Sequence, residues 1–336
     1  MLWKRLGLSL LCLLFAFYLG ALVYGGFYTT QIEVNNPQSG TILRTNGADT
    51  NVVIEGVAGP TVLLIHGAGA NAREFELTLI PRLASTHRVM TPDRPGHGYS
   101  DKVPEAHTLR VQAAQMASVL DSMPSAQPVT VVGHSYGSAV ALRLALDRPD
   151  LVRSLVLLAP VSHDWGPNKV AWYNAAAATP IIGTVFSQLM PIFGPDEARA
   201  GMSYSFKPAP EPPDFYDKAG VGLLFRPANF RANAQELSAL RSELVAQQDR
   251  YSELRMPLVI AYGSADQTMD PTIHVEQLEQ QVSNVRLISF VDEGHIPHYR
   301  KADYISELIA RISKEPELDG KSSNRLEIAY PKRVQR

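Results

Sequence analysis

Apolar positions fall into three kinds of pattern along this chain. The first is one continuous run. Leu6–Tyr28 carries 23 residues without a charge, with Lys4 and Arg5 just before it. The second is a set of short aliphatic runs bounded by glycine, proline or polar residues: 51–55, 61–65, 88–91, 129–133, 151–158, 257–262 and 285–290. The run T-V-L-L-I at 61–65 is almost wholly apolar, as a strand covered on both faces must be. The third kind has helical spacing and alternates with these strands: 74–84, 109–123, 139–146, 271–281 and 297–313. Such alternation predicts an α/β fold, a mostly parallel sheet with helices on both faces. Residues 31–50 are polar and turn-rich. They read as a linker into a hairpin made by 51–55 and 61–65.

The rhythm breaks between 161 and 256. Twelve aromatic residues and nine prolines fall in that stretch, and no strand pattern recurs. Because the strand–helix order resumes at once, the stretch reads as a helical lid inserted after the strand at 151–158. The expected organisation is an apolar N-terminal segment (1–30), a first part of the core (31–160), the lid (161–256), a second part of the core (257–313) and a polar, disordered tail (314–336).

A run of about 20 apolar residues matches the hydrocarbon thickness of a bilayer. Basic residues precede it and none follows closely, so the positive-inside rule leaves the N-terminus in the cytoplasm and the remainder outside. A cleaved signal peptide usually has a shorter apolar core. Length therefore favours an uncleaved anchor, with secretion after cleavage as the alternative. Cys12 is the only cysteine and lies inside this run, so the exported part forms no internal disulfide. It reads as an apolar filler.

Charge changes the picture little. With 31 basic against 33 acidic residues, nothing suggests a nucleic acid or another polyanion as partner. Nine histidines occur without an H-E-x-x-H or a Cys/His cluster, so a metal site has no support in the sequence.

The candidate chemistry centres on V-T-V-V-G-H-S-Y-G at 129–137. A G-x-S-x-G pattern after a strand and before a helix is a nucleophile elbow. The turn is so tight that side chains at 133 and 137 would collide with backbone, while Ser135 is left at its tip. A serine hydroxyl needs a base in reach, and the base needs an orienting carboxylate. The elbow predicts the chain order Ser, acid, His. Asp266 follows strand 257–262 in G-S-A-D, and His295 follows strand 285–290 in V-D-E-G-H. Both fall at the strand ends where open α/β sheets place their sites. Asp270 reads as a cap for the next helix. His298 reads as a structural residue and His134 as not the base.

With these residues in view, the chain resembles the α/β-hydrolase fold superfamily, and within it the single-lid serine hydrolase branch. The matching pieces are H-G-A-G at 66–69, D-R-P-G-H-G-Y-S at 93–100, G-H-S-Y-G at 133–137, G-S-A-D at 263–266 and E-G-H-I-P-H at 293–298. The resemblance implies Ser135 as nucleophile, His295 as base and Asp266 as its orienter. It implies an oxyanion hole from the backbone N–H groups of Ala68 and Tyr136. It implies a sheet of the eight-stranded type with the lid after its sixth strand, Asp164 as an alternative acid, and His66 and His97 as hydrogen-bonded residues of the site floor. It implies no metal and no organic cofactor. Lid aromatics would mostly hold the lid together, with Trp165, Trp172, Tyr173 and Phe206 as the candidates to face substrate.

The expected activity is hydrolysis of an ester or related acyl bond in a small to medium apolar substrate, through an acyl-enzyme. Carbon–carbon bond hydrolysis or cofactor-free perhydrolysis on the same triad is the alternative. An inactive binding module at the membrane is the reading from another class. Oligomeric state is not readable.

Overall fold

The computed structural model describes residues 2–123, 128–167, 170–315 and 325–329. Nine strands among them join one sheet: β1 (Thr41–Thr45), β2 (Ala48–Glu55), β3 (Thr61–Ile65), β4 (Arg88–Pro92), β5 (Val129–His134), β6 (Val152–Leu158), β7 (Leu258–Gly263), β8 (Val285–Phe290) and β9 (Arg325–Ile328). Their order is β1-β2-β4-β3-β5-β6-β7-β8-β9. Only the β1–β2 and β2–β4 pairs are antiparallel; every pairing from β4 to β9 is parallel. The α/β class and mostly parallel sheet expected from the alternation are therefore found.

The helices are α1 (Leu2–Asn35), α2 (Leu79–Leu83), α3 (Leu109–Ser122), α4 (Tyr136–Asp147), α5 (Trp172–Ala178), α6 (Ile182–Ser187), α7 (Met190–Phe206), α8 (Phe215–Lys218), α9 (Pro227–Gln247), α10 (Gln277–Gln281), α11 (Pro297–Arg300) and α12 (Ala302–Lys314). Two apolar layers result. One packs α3, α4 and α10 on one face of the sheet, around Leu63, Val131, Leu155 and Ile260. The other packs α2 and α12 on the opposite face, around Val62, Leu64, Val132 and Ile288. Adjacent residues of β3 and β5 thus point into different layers, which is why both strands are apolar throughout. Helices α5 to α9 occupy the chain between β6 and β7.

Four expectations need correction. The segment 31–50 is not a linker. α1 continues to Asn35, since no breaker stands before Pro37, and 41–45 form a strand. The hairpin is β1–β2, closed by Asn46 and Gly47 with φ 48° and 79°; Asn-Gly is the favoured pair for a two-residue turn that needs positive φ twice. β2 and β3 are not hairpin partners. The helix expected over 74–84 is a 3₁₀ turn (Ala72–Phe75) followed by the short α2. Pro81 has no N–H to bond back to residue 77, so the α-helix begins only at Leu79. Finally, the tail expected to be disordered over 314–336 supplies β9, which pairs with β8. Residues 316–324 and 330–336, and Met1 of the apolar segment, lie outside the described residues.

Candidate active site

Ser135 follows the middle strand of the sheet at φ 50°, ψ −118°, immediately before the first residue of α4. A non-glycine residue in that region is strained by about 1–3 kcal/mol and persists only where its surroundings enforce it. Three contacts do so here. Ser135 N donates to Leu158 O at 2.9 Å, Ser138 N donates to Ser135 O at 2.9 Å, and Ser138 Oγ donates to Gly133 O at 2.7 Å. The flanking glycines are a steric requirement. A Cβ on Gly133 would sit 2.5 Å from Gly137 O, and one on Gly137 would sit 2.6 Å from His66 O.

β7 and β8 run parallel to β5, so the loops after them reach the same edge. Ser135 Oγ lies 2.9 Å from His295 Nε2, and His295 Nδ1 lies 2.7 Å from Asp266 Oδ2. Asp266 Oδ1 accepts from the N–H of Thr268 at 2.8 Å and of Met269 at 3.0 Å. Burial alone would raise the Asp266 carboxyl, but His295 and these N–H donors outweigh it and hold it below the usual carboxylate range. An ionised Asp266 only accepts, so His295 Nδ1 carries the proton and Nε2 is left to accept from the serine hydroxyl. Ser135 and His295 are almost wholly buried, at 8% and 6% exposure, so little water competes for these bonds.

Beneath this row lies a second set of buried charges that the sequence reading assigned no part in the site. Glu74 Oε2 accepts from Gly67 N at 2.9 Å, and its other oxygen contacts His134 Nδ1 and, at 3.2 Å, His298 Nε2. His134 Nε2 donates to the carbonyl of His295 at 3.0 Å. Arg94, wholly buried, donates to Glu236 Oε2 at 2.6 Å and Oε1 at 2.9 Å, to Gly67 O at 2.9 Å and to His66 O at 3.1 Å. Its guanidinium lies 4.4 Å from the centroid of the Tyr136 ring. Burial disfavours the Glu236 charge, but Arg94 and His97 win and pull its pKa down to about 2. Both polar groups of Gly67 are thus clamped, the N–H by Glu74 and the C=O by Arg94. The C=O of Gly67 and the N–H of Ala68 belong to one planar trans peptide, so holding the first fixes the direction of the second.

Glu74, His134 and His298 are the one group of three or more among the described residues whose metal-ligand atoms come within 4.8 Å of one another. Its two imidazoles share the carboxylate, and their pKa values are shifted in opposite directions. Burial opposes the charge on His134, yet Glu74 raises its pKa. Burial dominates at His298 and lowers it to about 4. A histidine with a depressed folded pKa adds stability that is complete above its unfolded value of about 6.5 and is lost as pH falls through the folded one. Urea midpoints are therefore expected to drop between about pH 6.5 and 4 more steeply in the natural chain than in His298→Gln. Parallel curves would contradict the buried neutral imidazole.

The other expected residues are placed as follows. Asp164 pairs with Arg241 at 2.7 Å and does not reach the histidine. Asp270 Oδ1 accepts from Thr272 N at 2.9 Å, as a cap. His66 Nε2 accepts from Arg94 N at 2.9 Å, and His97 Nε2 lies 3.2 Å from Glu236. A cleft of about 280 Å³ opens between α5, α9 and the loop after Asp266, lined by Trp165, Leu237, Leu240, Met269 and Ile273 among others. Of the four aromatics expected to face substrate, Trp165 lines this cleft, whose walls include none of Ser135, Asp266 and His295. Trp172 and Tyr173 are instead exposed on α5, since they precede the buried side of that short helix. Phe206 packs edge-on against Phe215 and Tyr299, at 4.8 and 5.8 Å between ring centres for the first and second.

The fold and this edge of the sheet define a class, and comparison with known proteins agrees. The model of the alpha/beta hydrolase family matches residues 62–307, and the chain belongs to that family. It is similar to the magnesium-chelatase 30 kDa subunit of Rhodobacter capsulatus, 28% identical over 264 residues, covering 75% of this chain and 86% of that protein. It is 35% identical over 151 residues to the 2-hydroxymuconate semialdehyde hydrolase of Pseudomonas sp. (strain CF600), covering 43% of this chain and 53% of that one. It is 28% identical over 254 residues to the pimeloyl-[acyl-carrier protein] methyl ester esterase of Neisseria meningitidis, covering 74% and 91%. Among solved structures, the epoxide hydrolase CorEH superposes with a TM-score of 0.69 at 20% identity, covering 81% of this chain and 96% of that one. That likeness speaks to the fold alone.

Proposed function

We propose that this chain is a membrane-anchored serine hydrolase acting on an ester or related acyl bond in an apolar substrate. The observation that carries the reading is the unbroken relay from Ser135 Oγ through His295 to Asp266. In the proposed reaction Ser135 attacks the carbonyl carbon while His295 Nε2 takes its proton. The N–H groups of Ala68 and Tyr136 receive the developing oxyanion, which donors fixed in a dry site stabilise most. Collapse expels the alcohol, protonated by His295. A water deprotonated by the same imidazole then frees the acid. No step asks for a metal or an organic cofactor.

The aspartate at the elbow that epoxide-opening relatives use for ester formation is here a serine, which favours acyl chemistry. Helices α5 to α9 are proposed as the lid, with Trp165 against the acyl chain. The N-terminal run is proposed as the anchor, leaving the catalytic body on the non-cytoplasmic side. This rests on its length, on its flanking Lys4 and Arg5, and on side chains such as Leu6, Leu10, Leu13 and Phe17 that are more than half exposed.

A second reading, hydrolysis of a carbon–carbon bond, is favoured by the likeness to the semialdehyde hydrolase. Product identification separates the two. A chain-length series of p-nitrophenyl acyl esters is expected to give a burst of nitrophenol equal to the enzyme present, followed by steady turnover. Ring-fission diketones should remain intact. Cleavage of the diketones without an ester burst would overturn the ester reading and install the second.

A further inference from the structure

The chain carries a second uncharged stretch. Residues 170–195 contain no Asp, Glu, Lys or Arg, although they lie on the outside of the catalytic body. Prolines at 180 and 191 divide them into short helices, so they do not form a span. Their apolar side chains are largely unburied: Trp172 73%, Ile181 81%, Ile182 67%, Val185 45% and Phe193 55% exposed. Residues 181, 182 and 185 fall on one face of α6, because positions three and four apart are neighbours on a helix. Phe186 ties Trp172 to this group, with ring centres 5.9 Å apart.

The position of this surface is set by α1. The second half of α1 is docked on the body through one stripe. Ala21 and Gly25 are buried, Tyr28 Oη donates to Gly222 O at 2.9 Å, and Glu33 meets Arg226 at 2.7 Å. Around Gly25 the neighbours are Pro191 Cγ and Gln188 O, 3.7 and 3.9 Å from where its Cβ would be. Those two residues lie between α6 and Phe193. The first half of α1 projects free of the body. From Leu2 to Gly20 it spans about 28 Å at 1.5 Å per residue, close to the hydrocarbon thickness of a bilayer. The membrane boundary then falls near Ala21, about one helical turn from Gly25 and hence beside α6.

We infer that the apolar face made by α5, α6 and the start of α7, up to Phe193, is a second membrane contact, seated in the lipid surface next to the anchor. An exposed apolar and aromatic face suits the headgroup–acyl boundary, where such faces enter to about 5–10 Å; charged Arg231, Asp196 and Glu197 lie at its edge. The same stretch supplies Val170, Ala171 and Asn174 to the wall of the cleft. The inference rests on the anchored reading of α1.

The test uses the full chain in phosphatidylcholine vesicles, with an environment-sensitive fluorophore on single cysteines and brominated acyl chains as quencher. Cys12, the chain's only cysteine, reports on the anchor. Val185→Cys and Phe193→Cys, each with Cys12→Ser, report on the proposed face. Val57→Cys, also with Cys12→Ser and fully exposed in the β2–β3 loop, is the control. Labels at 185 and 193 are expected to lose about half their emission to brominated lipid, and the label at 57 none. Quenching at 12 alone would overturn the inference and leave the anchor intact. No quenching at 12 would remove the anchor and the inference together. A blue shift at 185 without lipid quenching would mean that a second copy of the chain covers the face, which also overturns it. Ester turnover is measured on each variant, so failure of the hydrolase reading is seen separately.

Discussion

Ser135→Ala is expected to lower ester turnover by about 10⁴–10⁶-fold while leaving KM within a few-fold, because only the bond made in the transition state is removed. His295→Ala should cost nearly as much, and the double variant little more than either alone, since nucleophile and base act as one unit. The structure gives the reason. Ser135 Oγ has its acceptor at 2.9 Å and a backbone conformation held by three hydrogen bonds, so the hydroxyl is aimed before substrate arrives. Alanine at 135 keeps every backbone bond. Steady-state kinetics on a p-nitrophenyl ester with matched urea curves checks both halves. A loss below tenfold would contradict the assignment.

Arg94→Met should destabilise the chain by about 3–5 kcal/mol, the usual cost of leaving a buried charge without its partner. Glu236 is 1% exposed and would lose both guanidinium bonds. Replacing both members, Arg94→Met with Glu236→Leu, should restore most of that stability, because neither member of this pair is then left as a buried ion without its partner. It should not restore rate. Gly67 O would still lack its clamp, and a donor misplaced by about 1 Å can cost on the order of 10²-fold. Urea midpoints and kcat measured side by side check this. Full recovery of kcat in the double variant would show that the clamp does not position Ala68.

The core and the meeting of three distant side chains are legible in the sequence for one physical reason. Buried parallel strands must be apolar on both faces, so each strand end can be read, and the residues just beyond those ends converge. Thus Ser135, Asp266 and His295 can be named although 160 residues separate the first from the last. Edge strands leave a weaker trace. β1 is T-I-L-R-T, mostly exposed, and β9 is R-L-E-I, so neither shows a continuous apolar run. The signal for β1 is the Asn46-Gly47 pair.

Buried charges are the other blind spot. Arg94 belongs to D-R-P-G-H-G-Y-S, but its partner Glu236 lies 142 residues further on, and nothing local pairs them. A clue is present in α9, where Glu236 shares the buried side with Phe230, Asn233, Leu240 and Leu244. A carboxylate on such a side requires a cation opposite. Glu74 gives no such clue, because the helix expected there would place it on the surface. Trp172 and Tyr173 pass for pocket residues in the sequence because exposed aromatics on a lid and aromatics over a site look alike in one dimension.

The proposed chemistry depends on an activated hydroxyl at residue 135, and covalent labelling tests that most directly. The full chain treated with a fluorophosphonate probe should carry one adduct, located by peptide mass spectrometry on Ser135. Labelling should disappear after heat denaturation and fall sharply in His295→Ala. An unlabelled chain, or an adduct on any other residue while Ser135 stays free, would contradict it.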